Sequence, residues 1–330
     1  MNALVTGGGG FLGSAIVRLL LARGDRVRSL SRGFHHALHA LGVYQCRGDV
    51  ADDFEVNRAV RGCDIVFHVA AKAGVWGRYD DYHRTNVVGT DNVLDACRVW
   101  GIRRLVYTSS PSVVFDGRDM EGANESAPYP THYDAYYPQT KALAERRVLA
   151  ANGPELATIA LRPHLIWGPG DNQLVPRILA RARRLRRIGT ANKLIDSIYI
   201  DNAAAAHLLA ADRLTPGAPC AGRAYFLSNG EPLPLWDLVN RILAAADLPP
   251  VTKTIPAGVA YAVGWFLEMV YGLLHIRREP PLTRFVAREL TTAHWFDLSA
   301  ARNDLGYRPL VSIDEGLRRL AEALRQGRNI

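Results

Sequence analysis

The sequence predicts an α/β protein, a doubly wound parallel sheet followed by a smaller C-terminal lobe. Three observations carry that expectation. Short apolar runs alternate with helical patterns from residue 1 to about 110, and a glycine cluster separates the first run from the first helix. Beyond about residue 165 the regular spacing gives way to proline-containing loops. With 330 residues, 48% hydrophobic and 22% charged, the chain can fill one large core or a main core with a companion. Disordered and collagen-like classes are excluded. Cys46, Cys63, Cys97 and Cys220 stand singly, without CxxC pairing, and read as free thiols of a reducing compartment. The net charge of +8 permits anionic partners and selects none.

Met1–Thr6 lacks a basic stretch followed by a long apolar run, so it reads as a strand and not as an export signal, and the expected location is cytoplasmic. Ala3-Leu4-Val5 is the buried centre of that strand. A helix is expected from Phe11 to Arg23, where Leu12, Ile16, Leu19 and Leu20 form one stripe and Gly24 stops it. Further strands are expected at 26–30, 43–46, 64–69 and 104–108, with candidates at 158–162 and 197–200. The expected division is a dinucleotide-binding domain over 1–167, to which the strand and helix near 197–212 return, and a substrate lobe from 168–196 and 213–311. A C-terminal helix follows over 312–330, opened by a capping box of Ser312 and Glu315, with Leu317, Leu320 and Leu324 as its apolar stripe.

Thr6-Gly7-Gly8-Gly9-Gly10-Phe11-Leu12-Gly13 lies between the first strand and the first helix. Gly7, Gly10 and Gly13 let backbone approach a pyrophosphate, and the N–H groups of Phe11, Leu12 and their neighbours open the helix toward it. In strand-turn-helix context this is the Rossmann fingerprint. At the tip of the second strand, where an acid would hold the ribose hydroxyls of NAD, stand Ser31 and Arg32. A hydroxyl and a guanidinium there favour the 2′-phosphate of NADP(H). A second constellation is Tyr137-Pro138-Gln139-Thr140-Lys141 with Thr108-Ser109-Ser110. On a helix Tyr137 and Lys141 are i, i+4 neighbours, so the ammonium is expected to lower the phenol's pKa, while Ser110 grips a substrate carbonyl.

At these residues the chain resembles the extended short-chain dehydrogenase/reductase family over nearly its full length. Gly48-Asp49-Val50 looks like that family's adenine-contacting segment, and Val69-Ala70-Ala71-Lys72 like the one lining the cofactor. Asn86 looks like the helix asparagine that supports the active site. The stretch from Leu161 to Gly170, with Pro163 and Ile166, looks like the one packing on nicotinamide. The resemblance implies a catalytic triad of Ser110, Tyr137 and Lys141. The segments 71–77 and 198–202 point to the 3β-hydroxysteroid dehydrogenase-like branch, while Val114-Phe115 departs from the usual aromatic-glycine pair. The implied reaction is NADPH-dependent reduction of a hydrophobic 2-alkyl-3-keto acid, of the kind formed by head-to-head acyl condensation in olefin biosynthesis. A 3β-hydroxysteroid or sterol-4-carboxylate dehydrogenase, a nucleotide-sugar epimerase or dehydratase, and a catalytically idle NADP-sensing scaffold stay open as alternatives. The implied partners are enzymes of the same pathway and a second copy in a homodimer.

Residues 255–276 form an apolar run with one acid, Glu268, followed by Arg277 and Arg278. It reads as a buried helix of the lobe, as a lid with peripheral membrane contact, or as a span that Glu268 would make costly. The six-arginine run from Arg177 to Arg187 reads as one solvated amphipathic helix or as a docking face for an acidic protein or lipid, and without an interleaved aromatic platform no nucleic acid partner is expected. His35, His36 and His39 lack acidic partners at ligand spacing, so no metal site is expected. Trp76, Tyr79 and Tyr82 read equally as substrate-lining or as packing residues.

Overall fold

Seven parallel strands form the central sheet of the computed structural model, which describes residues 1–190 and 192–327. They are β1 (Asn2–Thr6), β2 (Arg26–Ser31), β3 (Tyr44–Arg47), β4 (Ile65–His68), β5 (Arg104–Thr108), β6 (Ala157–Pro163) and β7 (Arg223–Leu227). Their spatial order is 3-2-1-4-5-6-7, the doubly wound arrangement with its switch point between β1 and β4. Alternate residues feed the two faces. Leu4, Val66 and Leu105 pack into one core, and Ala3, Val5, Ile65, Phe67 and Val106 into the other. Strands buried on both faces need near-continuous apolar sequence, and β4 and β6 are buried at every position.

Five helices cover the sheet: α1 (Phe11–Ala22), α2 (Asp53–Val60), α3 (Gly89–Val99), α4 (Tyr136–Ala150) and, after α5 (Leu174–Arg181), α6 (Ile200–Arg213). The α6 helix packs on α1. Its preceding strand does not join the main sheet: Ile198–Tyr199 pairs with Ile166–Trp167 in a separate two-stranded ladder. The seventh strand comes instead from Arg223–Leu227, within the range expected to belong to the lobe.

Further elements include α7 (Leu235–Ala245), α8 (Ala257–Leu273), α9 (Arg284–Glu289), α10 (Ile313–Arg325) and a four-stranded ladder from 120–123, 194–195, 233–234 and 294–296. The arginine run is not one helix. It leaves α5 at Arg181, makes a single 3₁₀ turn, and pairs Arg187–Ile188 with Thr254–Ile255. The apolar run becomes α8, of which only Ala260 and Gly264 are buried, so the buried-helix reading does not hold. Among the described residues no helix is long and apolar enough to cross a membrane. At α10 half of the capping box forms. Ser312 accepts from the Glu315 N–H at 3.2 Å, while the Glu315 carboxylate turns to Arg318 and Arg319. Residues 328–330 of the expected C-terminal helix lie outside the described residues.

Helix α4 is fixed to the sheet by a buried ion pair. Arg162 on β6 donates from Nε to Glu145 Oε2 at 3.0 Å and from a terminal nitrogen to Oε1 at 2.6 Å, and the Tyr129 hydroxyl donates to the same Oε1. The two side chains are 2% and 0% exposed. Removing one partner strands the other charge without water. Glu145→Gln is therefore expected to lower unfolding free energy by about 3 kcal/mol or more, measured by urea denaturation, and the double variant Glu145→Leu, Arg162→Met by clearly less.

Candidate active site

The sequence brings a cleft of about 640 Å³ to the C-terminal ends of β1, β4 and β5. Its floor is the glycine turn. Gly7 adopts φ +69° and donates its N–H to Leu30 O, and Gly10 donates to Gly7 O at 2.9 Å. A Cβ on Gly13 would stand 2.2 Å from Gly7 O, so only glycine permits this closure. Gly10 caps α1 without a side-chain bond, and no acid occupies the first turn. Those bare N–H groups at the positive end of a helix, beside a backbone stripped of Cβ atoms, fit a dinucleotide pyrophosphate.

Two polar tethers hold the cleft's walls. Thr6 Oγ1 accepts from the N–H groups of Val69 and Ala70, both at 3.1 Å, and bonds His68 Nδ1 at 2.8 Å. His68 Nε2 in turn meets Thr90 Oγ1 at 3.0 Å. Burial, reinforced by the Lys141 charge, pushes His68 down to about 3, so it serves as a neutral brace. Asn86, in a single π-helical turn, accepts from Lys72 N–H at 2.7 Å and donates to Lys72 O and to Thr140 Oγ1 on α4. It thus ties the 70–72 segment to the helix that carries Tyr137.

Gly7, Gly10, Phe11, Leu12, Gly13, Ser31, Arg32, Asp49, Val50, Ala70, Ala71, Ser110, Tyr137, Lys141, Pro163 and Ile166 all line this one cleft. Lys72 does not. Its ammonium lies over the Tyr82 ring, 5.1 Å from the centroid, and only its backbone serves the wall. Arg32 has no ion-pair partner among the described residues, whereas Asp49 meets Arg84 at 3.4 Å and caps the Ala51 N–H. Trp76 and Tyr82 turn out to pack: Tyr82 donates to Trp76 O, and Trp76 donates to Ile276 O. Tyr79 stacks edge-on against Tyr136. Phe115 stacks edge-on with Phe285 and His294.

The titrating groups depart from the sequence expectation. Lys141 spends its ammonium on Thr108 O at 2.6 Å, above the Tyr107 ring. Burial pushes it down to about 7, against an upward pull from Glu145. Tyr137 is pushed up to about 12 by burial, with the Ser110 hydroxyl pulling it down and Glu289 pushing it up, and Lys141 does not enter. The downward pull of Lys141 expected from i, i+4 spacing is thus missing, because the ammonium points at the strand. Ser110, extended at φ −158°, caps the turn that begins with Pro111 and bonds Ser112 Oγ at 2.9 Å.

Sequence reasoning missed Glu289, which burial raises to about 7 and whose charge pushes Tyr137 up. An acid in a six-residue helix carries no sequence signal. His35, set aside as a loop residue, presses its ring against Gly9 and lines the cleft. Asp171, also in the wall, accepts from the N–H groups of Gln173, Leu174 and Val175 and so starts α5.

A model of the 3-beta hydroxysteroid dehydrogenase/isomerase family matches residues 4–256. A 2-alkyl-3-oxoalkanoate reductase of Stenotrophomonas maltophilia is 56% identical over 97% of this chain and 98% of its own. A decarboxylating sterol-4-alpha-carboxylate 3-dehydrogenase of Mus musculus is 34% identical over 97% and 90%. Among solved structures, the UDP-glucose 4-epimerase of Thermus thermophilus in complex with NAD superposes with a TM-score of 0.74 at 25% identity, covering 98% of this chain and 99% of that one.

The Gly13 contact sets a test. Gly13→Ala is expected to weaken binding of the reduced nicotinamide dinucleotide at least about tenfold, close to 1.4 kcal/mol, in a fluorescence titration, with the fold retained by circular dichroism.

Proposed function

This chain belongs to the 3-beta hydroxysteroid dehydrogenase/isomerase family, and on that footing we propose that it is an NADPH-dependent reductase of long-chain 2-alkyl-3-oxoalkanoates, yielding the 3-hydroxy acids. The observation that carries the substrate is the likeness to the Stenotrophomonas reductase along nearly the whole of both chains. The glycine cradle and the clustering of Ser110, Tyr137 and Lys141 at its mouth support an oxidoreductase over an idle scaffold.

The bound nicotinamide supplies the hydride that reduces the ketone carbon. The protein's own groups handle the oxygen. Ser110 and Tyr137 line the same cleft and offer two hydroxyls to one carbonyl oxygen. As charge builds on that oxygen, Tyr137 transfers its proton to it, completing the alcohol. A phenol held near 12 is fully protonated at neutral pH yet far more acidic than an aliphatic alcohol, which suits a donor in the reductive direction. Lys141 donates to Thr108 O and so fixes the end of β5, next to Ser110, against the helix that carries Tyr137. Tyr137→Phe is expected to lower kcat about a hundredfold or more while NADPH still binds. The assay follows NADPH consumption with a 2-alkyl-3-keto acid beside a 3-ketosteroid, and turnover of the steroid alone would replace this substrate by a sterol.

The preference for NADPH rests on Arg32, exposed on the cleft's rim without an acid beside it. A guanidinium there pairs with a 2′-phosphate and has nothing comparable to grip on NADH. Arg32→Ala is expected to cost about ten- to hundredfold in NADPH affinity and to leave NADH affinity unchanged, read by parallel titrations.

A further inference from the structure

We propose that the outward face of α8 seats this protein on an anionic lipid bilayer, lying in the headgroup layer without crossing it. The face is apolar and uncovered. Val259, Val263, Phe266, Met269 and Leu273, with Leu274 just beyond, are 40–72% exposed and recur at helical spacing along one side. From Val259 to Leu273 the stripe runs about 21 Å. Trp265 stands half-exposed at its edge, where an amphipathic ring suits a membrane–water boundary. The opposite side of α8 is committed to the protein. A Cβ on Gly264 would stand 2.8 Å from the Thr283 carbonyl carbon, and Tyr271 meets Trp76 edge-on.

Charge selects the occupant. Both acids of the 255–284 segment are neutralised internally, Glu268 by Arg284 at 2.6 Å and Glu279 by Arg177 at 3.1 Å. Arg277 and Arg278 follow α8 exposed and have no ion-pair partner among the described residues. The arginine run flanks both ends of the helix. Arg181 donates to Pro281 O beyond the C-terminus, Arg187 pairs in a ladder with Thr254 before the N-terminus, and Arg183 and Arg184 lie exposed between. A second copy across an isologous interface would bring a second set of the same arginines to the patch and no unpaired acid from this segment to meet them. Phosphate headgroups around an acyl interior satisfy both the apolar stripe and its cationic border.

The test is co-sedimentation of the full chain with vesicles of phosphatidylcholine alone or mixed with phosphatidylglycerol. Binding is expected to the mixed vesicles and to weaken as salt rises. The double variant Phe266→Glu, Met269→Glu is expected to bind at least about tenfold less. Arg277→Glu, Arg278→Glu is expected to lose the preference for phosphatidylglycerol. Both variants should bind NADPH as the parent does, a readout independent of substrate identity, so failure here leaves the reductase reading standing. Equal binding to both vesicle types, unchanged binding by the Phe266 and Met269 variant, or its conversion of a dimer to a monomer without vesicle binding by the parent would each overturn the proposal.

Discussion

A carboxylate and a guanidinium shut away from water set the geometry of the whole site. Tyr137, Lys141 and Glu145 follow one another at four-residue spacing on α4 and therefore share a face. The lowest of them is locked to Arg162 on β6 by two hydrogen bonds. The next residue, Pro163, ends the strand, and with Leu165 and Ile166 just beyond it walls the cleft. One contact thus fixes both the rotation of the helix and its height against the strand. An apolar pair of equal volume could match it in stability, but it would leave the helix free to rotate by a rotamer's width. Directional bonding is the more demanding solution and the more exact one.

Burial dominates the titration of the groups that sit deepest around the cleft. His68 is kept neutral, Tyr137 is kept protonated, and Lys141 is brought to about 7, close to neutral solution. Glu289 is brought to about the same value from the opposite side. In such surroundings an added anion or cation weighs far more than it would in water, because little solvent is present to screen it. The arrangement is spare in charges and depends on the few it retains.

The first five strands and the glycine turn were legible because a parallel sheet buried on both faces must be written as near-continuous apolar runs. The cleft residues were legible for a related reason: glycine at Gly7 and Gly13 answers to backbone geometry, which sequence records directly. What escaped depends on pairings distant along the chain. Arg223–Leu227 looks like any short strand until β6 offers it an edge. The i, i+4 spacing puts Lys141 beside Tyr137 but says nothing of Thr108 O, which captures the ammonium. In 255–276 the apolar count was plain, yet hydrophobicity does not say which face another element will cover, and here most of it is left bare.

The late arrival of β7 bears on how the chain is made. As the protein leaves the ribosome, β1 to β6 and their crossovers are in hand by Pro163, but one side of β6 then waits with its backbone unpaired until Arg223 emerges. During that interval the nascent chain carries a bare edge whose side chains are destined for complete burial, the kind of edge on which neighbouring chains pair. Biogenesis is therefore most exposed to misassembly while the intervening lobe segment is translated, and slow elongation through it lengthens that exposure.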